Sequence, residues 1–371
     1  MRHAPSPLWQ AIQASDLKTL AVMGMSKNTG KTVALNHLLA QAAAAQVAVG
    51  VSSIGRDGED RDQVFFIPKP PVRVWPGTLV ATARATLQRA KVRCKLVGAT
   101  GIASPMGEIV LVKVLDGGDM EIAGASRGSD QRKVIQQLRQ CGAALVLLDG
   151  ALGRSQHASP AIADGVLLAT GAALGGGIAD VLRKTRDRLA ILGIAQADEA
   201  TCALCEPVFA SGGVGLWDSH GQPLFQARIA TLNAGATLLD FLEADVATVA
   251  LSGAVGRTLW QALVQLAARH PGLTVVVADG TRLFVERSDL ALFQQRGARV
   301  LARRGIRISG ITVNPFSPMG GSFAPEEFLA AARHAFSGYD VVDVMLEEIK
   351  QNIIPGQSAA PRSGLALSPS H

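Results

Sequence analysis

The residues best suited to chemistry form one run, Gly24-Met25-Ser26-Lys27-Asn28-Thr29-Gly30-Lys31-Thr32, between the apolar stretch Leu20-Ala21-Val22-Met23 and a helical pattern. A strand, a glycine-bounded loop and a helix in that order let consecutive backbone N–H groups and the positive end of the helix surround phosphate oxygens. The run is therefore expected to bind a nucleoside triphosphate, with contacts from Gly24, Ser26, Lys27, Asn28, Thr29, Gly30, Lys31 and Thr32. Lys31 is expected on the outer phosphates and Thr32 on Mg²⁺. Five residues separate Gly24 from Gly30, one more than the common spacing, and Met25 stands where glycine is usual. A chance Gly-Lys-Thr on a surface turn would not also bring the strand before it and the helix after it.

Two acidic groups are candidates to complete this chemistry. Asp149 closes the apolar run Ala143 to Leu148 and is followed by Gly150-Ala151, so its carboxylate is expected at the sheet edge that carries the loop, holding Mg²⁺ directly or through water. The alternative is a strand-ending Asp that merely opens a turn. Asp57, with Glu59, lies in Ser52-Ser53-Ile54-Gly55-Arg56-Asp57-Gly58-Glu59-Asp60, leaving a second strand at the same edge. These side chains have two open readings, Mg²⁺ or water positioning with Arg56 on phosphate, and an ordinary solvated turn.

Those residues need a sheet to position them, and the chain alternates short apolar runs with helical stretches throughout, which predicts an α/β fold with a mainly parallel, P-loop NTPase-like sheet. Leu35, Leu38, Leu39 and Ala42 recur at helical spacing from Thr32 to about Gln46, and Val47 to Ser53 reads as the next strand. Gly77 to Ala90 reads as helical. The short strands Val92 to Val97, Glu108 to Leu115 and Met120 to Ala123 are expected as a hairpin-rich lobe over the site. Helices over Gln131 to Gln140 and Ile178 to Leu192 flank the Asp149 strand. A second alternation has strands at Ala247 to Leu251, Leu273 to Ala278, Ile308 to Val313 and Tyr339 to Val344. The expected organisation is an N-terminal extension (1–16), a nucleotide-binding domain (17–225), a smaller C-terminal α/β domain (226–350) and a disordered tail (351–371).

Composition narrows the classes. The 371 residues are 48% hydrophobic and carry a net charge of +6, but only 4% are aromatic and there is no long basic run, so nucleic acid is not the expected partner. The N-terminal Met1 to Pro7 lacks an apolar signal core and no apolar stretch reaches membrane-spanning length, from which a cytoplasmic protein with no membrane partner is expected. Four cysteines agree with a reducing compartment. Cys202 and Cys205 have the spacing of half a zinc or redox site, against the alternative of buried or incidental thiols.

Several signals are missing. Without an Asn-Lys-x-Asp guanine-reading motif, ATP is the default nucleotide. Ser26 occupies the place where partitioning ATPases carry a second, signature lysine, and Lys27 is one residue off. Asp218-Ser219-His220-Gly221 falls short of the Asp-x-His-x-x-Gly signature that ligates cobalamin.

The long phosphate loop resembles that of dethiobiotin synthetase and the related cobyrinate amidases. Over a wider span, from Leu20 to Val344, Ser52 to Glu59, Pro68-Lys69-Pro70, Gly77 to Thr82, Asp149-Gly150-Ala151, Ala169-Thr170-Gly171-Ala172 and Ile311-Thr312-Val313-Asn314-Pro315-Phe316 resemble the nucleotide-binding subunit of lysine 5,6-aminomutase reactivase, a family also associated with D-ornithine aminomutases. The resemblance implies an oligomer with a second ATPase subunit that restores a lysine or ornithine aminomutase dependent on adenosylcobalamin and pyridoxal phosphate. Such mutases inactivate themselves when the cobalamin radical is lost. It implies ATP and Mg²⁺ as ligands, with Lys31, Asp149 and Asp57 in the ATPase step. An ATP-dependent small-molecule ligase and a nucleotide-gated binding protein are the other classes the loop admits.

Overall fold

The structure is a computed structural model that describes residues 5–53, 71–150 and 159–352. In chain order its elements are α1 (Pro7–Ala14), β1 (Thr19–Gly24), α2 (Lys31–Ala44), β2 (Val49–Ser53), β3 (Val72–Val74), β4 (Leu79–Ala83), α3 (Arg84–Gln88), β5 (Cys94–Ser104), β6 (Gly107–Val114), β7 (Gly118–Met120), α4 (Gly128–Gln140), β8 (Leu145–Asp149) and β9 (Gly165–Gly171). There follow α5 (Ile178–Leu192), α6 (Glu199–Ser211), β10 (Val214–Trp217), β11 (Pro223–Ala227), α7 (Ala234–Leu239), β12 (Thr248–Leu251) and α8 (Arg257–Arg269). The chain continues through β13 (Thr274–Val277), α9 (Arg287–Gln295), β14 (Arg299–Ala302), β15 (Ile308–Asn314), α10 (Pro325–Ala335), β16 (Val341–Val342) and α11 (Val344–Asn352).

A nine-stranded sheet in the order β16-β15-β9-β1-β8-β2-β4-β6-β5 organises the molecule. Its strands from β16 to β4 run parallel, and only the β5–β6 hairpin breaks that pattern. Both faces are covered, so the central strands β2, β8 and β9 are buried at every position rather than at alternate ones. Leu20 and Val22 of β1, with Leu145 and Leu147 of β8, pack toward α1 and α2. Ala21, Val146 and Leu148 between them pack toward α4. Leu168 of β9 and Ile311 and Val313 of β15 meet Val181 and Leu189 of α5 and Phe328 of α10.

The structure bears out the α/β class with a large, mostly parallel sheet. It corrects several local expectations. The stretch read as a helix from Gly77 to Ala90 is β4 followed by the single turn of α3. All five β4 residues are buried, and a short apolar run rich in alanine has no period that distinguishes buried strand from buried helix. Of the segment expected to form a lobe over the site, β5 and β6 instead extend the large sheet, β6 pairing antiparallel with β4 and β5 with β6, while β7 pairs with β3 in a separate two-stranded sheet.

The division at residue 225/226 does not follow the sheets. The second sheet, ordered β11-β10-β12-β13-β14, begins before that point and ends at Ala302, and β15 and β16 return to the large sheet. The smaller α/β unit is thus bracketed by strands of the larger one. Apolar periodicity identifies β15 as a strand, but its partner is a tertiary choice made by six residue pairs with β9. In the smaller unit β12, β13 and β14 are parallel, and Trp260 of α8 meets Phe293 of α9 at 4.9 Å between ring centroids. The N-terminal residues form a packed helix, with Ser6 capping α1 and Leu8, Trp9 and Ile12 buried. Helix α11 reaches Asn352, and the tail beyond it lies outside the described residues. Among the described residues no helix is long and apolar enough to cross a membrane.

Hydrogen exchange checks the position of β15. Its amides are expected to exchange as slowly as those of β9 and more slowly than those of the edge strand β5. Fast exchange throughout β15 would take it out of the sheet interior.

Candidate functional site

The loop from Gly24 to Gly30 leaves the end of β1, the strand with β8 on one side and β9 on the other. Strands diverge to both sides of β1, and the crevice beyond the carboxyl ends at such a point is where open α/β sheets take ligands. Two residues of the loop have positive φ, Asn28 at 61° and Gly30 at 87°. Asn tolerates that region because its short amide bonds locally, and Gly30 has no Cβ to oppose it. A Cβ on Gly30 would also come within 2.9 Å of Asn314 Cβ. The loop is held from outside by Met25 N donating to Ala169 O at 2.8 Å and by Asn314 Nδ2 donating to Asn28 O at 3.0 Å. Within it Thr29 Oγ1 donates to Ser26 O at 2.9 Å and Ser26 Oγ to Lys27 O at 3.0 Å.

Gly30 is the N-cap of α2 and offers no side chain to the first amides of that helix. The first-turn N–H groups have no carbonyl four residues back, so they face outward with the positive end of the helix dipole. Lys31 follows immediately. Its Nζ lies 2.8 Å from Asp149 Oδ1 and also donates to Gly150 O. Parallel pairing produces this contact, because Asp149 sits in register with Val22 of β1 and with Ser53 of β2. The Asp149 side chain is 2% exposed and that of Lys31 17%, so the carboxylate is deep and the ammonium keeps solvent contact. Thr32, in the first turn of α2, is buried beside them in sequence.

These residues fit a magnesium–nucleotide. The uncapped helix start and the glycine-bounded loop could supply backbone donors, Lys31 a cation already placed beside Asp149, and Thr32 Oγ1 with Asp149 hard oxygen ligands. Mg²⁺ commonly takes only one or two protein oxygens and completes its shell with phosphate and water. Among the described residues no group of three or more His, Cys, Asp or Glu side chains gathers as a metal site.

The structure therefore brings together Gly24, Ser26, Lys27, Asn28, Thr29, Gly30, Lys31, Thr32 and Asp149. Asp57 and its neighbour Glu59 lie outside the described residues. Asn314 is a positioning residue to which sequence reasoning gave no role, although it ends an apolar strand and precedes Pro315, as a residue at a sheet edge does. Gly171 is matched to it, since a Cβ there would overlap Asn314 O.

Other sequence candidates lie elsewhere. Cys202 and Cys205 are on α6, and burial pushes the Cys205 thiol up to about 12, which leaves little thiolate for metal binding or exchange at neutral pH. Asp218 closes the turn between β10 and β11, its Oδ1 accepting from His220 N at 2.9 Å and Gln222 N at 2.7 Å.

Substitutions at Lys31, Asp149 and Asn314 test this geometry. Lys31→Ala leaves the buried Asp149 carboxylate without its cation and is expected to lower folding stability by about 2 kcal/mol, less than for a fully buried pair because Lys31 is partly solvated. Adding Asp149→Asn should recover part of that loss in urea denaturation, and purely additive losses would contradict the pairing. Asn314→Ala is expected to weaken binding of a fluorescent ATP analogue about tenfold while changing stability by less than about 1 kcal/mol. Unchanged affinity in that variant would remove Asn314 from the support of the loop. Compared with models of protein families, with curated proteins and with solved structures, the chain matches none.

Proposed function

We propose that this chain binds and hydrolyses ATP with Mg²⁺, and that it does so as the nucleotide-binding subunit of a reactivase for an adenosylcobalamin- and pyridoxal phosphate-dependent aminomutase. The observation that carries the nucleotide part is the meeting of Lys31, at the uncapped start of α2, with Asp149, at the end of the strand beside β1. The choice of client, a lysine or ornithine aminomutase, rests on the motif resemblance from Leu20 to Val344.

In this reading the backbone donors of residues 24–32 orient the triphosphate and Lys31 neutralises its outer charge. Thr32 and Asp149 would hold Mg²⁺, which would supply Lewis-acid stabilisation of the phosphoryl group when bound. Lys31 is engaged with Asp149 and Gly150 before any nucleotide arrives, so the pair holds the ammonium close to its working position and offsets the buried negative charge. Hydrolysis then changes what the loop contacts. The loop is bonded to Ala169 and Asn314, so that change reaches the ends of β9 and β15. A protein that binds a damaged mutase differently in its ATP and ADP states can open the cobalamin site, release the inactive cofactor and be reset by turnover.

The alternative reading is an ATP-dependent small-molecule ligase of the dethiobiotin synthetase type. One feature favours it. Gln131, at the start of α4, is fully buried with both amide atoms unpaired among the described residues, the kind of group that a polar substrate would satisfy.

The test is ATP hydrolysis by the purified chain, alone, with an active aminomutase, with its inactivated form, and with small carboxylic acids. The reactivase reading expects turnover that rises with the inactivated mutase, restores its activity when fresh adenosylcobalamin is present, and falls roughly a hundredfold or more in Lys31→Ala. Stimulation by a small acid and indifference to any mutase would establish the ligase. Wild-type turnover in Lys31→Ala would sink both.

A further inference from the structure

A cleft of about 710 Å³ opens at the edge of the large sheet opposite the loop. Lys18, which lines it, directly precedes β1, and Ile162 lies shortly ahead of β9. The other wall is α4, which presents Arg132, Gln136, Arg139 and Gln140. These positions recur at helical spacing and form one stripe along α4. The strands between the two edges are parallel, so β8 alone separates the cleft from Asp149 by about 15 Å.

The charge on this cleft is of one sign. Lys18, Arg132 and Arg139 line it together with two carboxamides, and among the described residues no carboxylate does. None of the three cations forms an ion pair among the described residues. Asp16, close enough to Lys18 to feel its charge, is paired with Arg307 at 2.7 Å. Asp164 Oδ2 accepts from the backbone N–H groups of Lys18 and Thr19 at 2.9 and 2.8 Å, and Asp130 pairs with Lys133 at 3.8 Å. Arg139 also complements the C-terminal end of the α4 dipole, an ordinary structural use. That use does not extend to Arg132, near the other end of the helix, or to Lys18, which belongs to another element.

We propose that this cleft is a second ligand site, which takes a small organic anion carrying at least two phosphate or carboxylate groups. Two guanidinium groups on one helix face can each grip an oxyanion with two parallel hydrogen bonds, and the lysine adds a point charge from the facing wall. The carboxamides of Gln136 and Gln140 supply neutral donors between them, and Ile162 gives an apolar surface for the body of the ligand. The volume lies within the range of about 300–1,000 Å³ of small-molecule sites. The site shares no residue with the phosphate loop, so it stands or falls separately from the nucleotide reading.

The experiment is calorimetric titration of the full chain with citrate and, separately, with inorganic pyrophosphate at low ionic strength, comparing wild type with the double variant Arg132→Gln, Arg139→Gln. Both arginines are exposed, and the melting temperature of the variant is expected to match wild type. The expected result is saturable binding of at least one probe that weakens about tenfold or more in the variant. The two probes separate a carboxylate from a phosphate ligand. Pyrophosphate held by the phosphate loop would remain in the variant and is thereby distinguished. Failure of both probes to bind, or binding that the double variant leaves unchanged, overturns the proposal. Binding of an acidic peptide with neither small anion would make the face a protein-docking surface and overturn it equally.

Discussion

The candidate site depends on where parallel pairing places Asp149. That strand end falls between β1 and β2, in register with Val22, two residues before the loop that leads to Lys31 begins at Gly24. A carboxylate this deep is unfavourable unless a cation and hydrogen-bond donors accompany it. Lys31 is the cation, and the loop fixes its position because the lysine begins α2. Sheet register, loop length and helix start are therefore one linked constraint. The longer loop between Gly24 and Gly30 has to be accommodated within it, and the positive φ of Asn28 and Gly30 together with the bracing from Asn314 are how the backbone does so.

The bracing links the site to the rest of the architecture. Met25 is tied to β9 and Asn28 to the end of β15, so one side of the loop rests on strands that come late in the chain. Between β9 and β15 the chain forms the whole smaller α/β unit. Among the described residues that unit is bound locally to the larger one at several places, including the Arg287–Asp187 ion pair at 3.5 Å. Ser159 Oγ donates to Asp279 Oδ2 at 2.6 Å, and the turn at Gly280 lies so close to Ile191 O at the end of α5 that a Cβ there would overlap it. Asp279 also accepts from Thr281 N at 2.9 Å, which holds its carboxylate toward Ser159.

What could be read from the residues follows the range of the interactions involved. The strand before the loop, the helix after it and the strand ending in Asp149 are set by near neighbours, and each appears within a few residues of its expected place. Helix α5 has the expected bounds because its buried face, Val181, Thr185, Leu189 and Leu192, repeats with the helical period. The pattern fails where the period vanishes. Leu79 to Ala83 is buried on both faces as a strand, and its leucine and alanine content favours a helix when read locally. It fails again where the information is a partner rather than a period, as with β15, whose own sequence contains nothing that selects β9 over β14.

Asn314 shows the same limit at the level of a single side chain. Its amide acts through a hydrogen bond to a residue far away in the chain, and neither a polar residue at a strand end nor the following proline distinguishes a loop brace from an ordinary turn. The geometry supplies the distinction. Gly30 and Gly171 both leave room that a Cβ would take from Asn314, so three residues from three separate elements share one small volume at the sheet edge. A side chain that two glycines make way for is constrained in position, and its loss would act on the loop through geometry rather than through charge. Asp149 differs, since replacing it changes the electrostatics of the site while the strand beneath it stays paired.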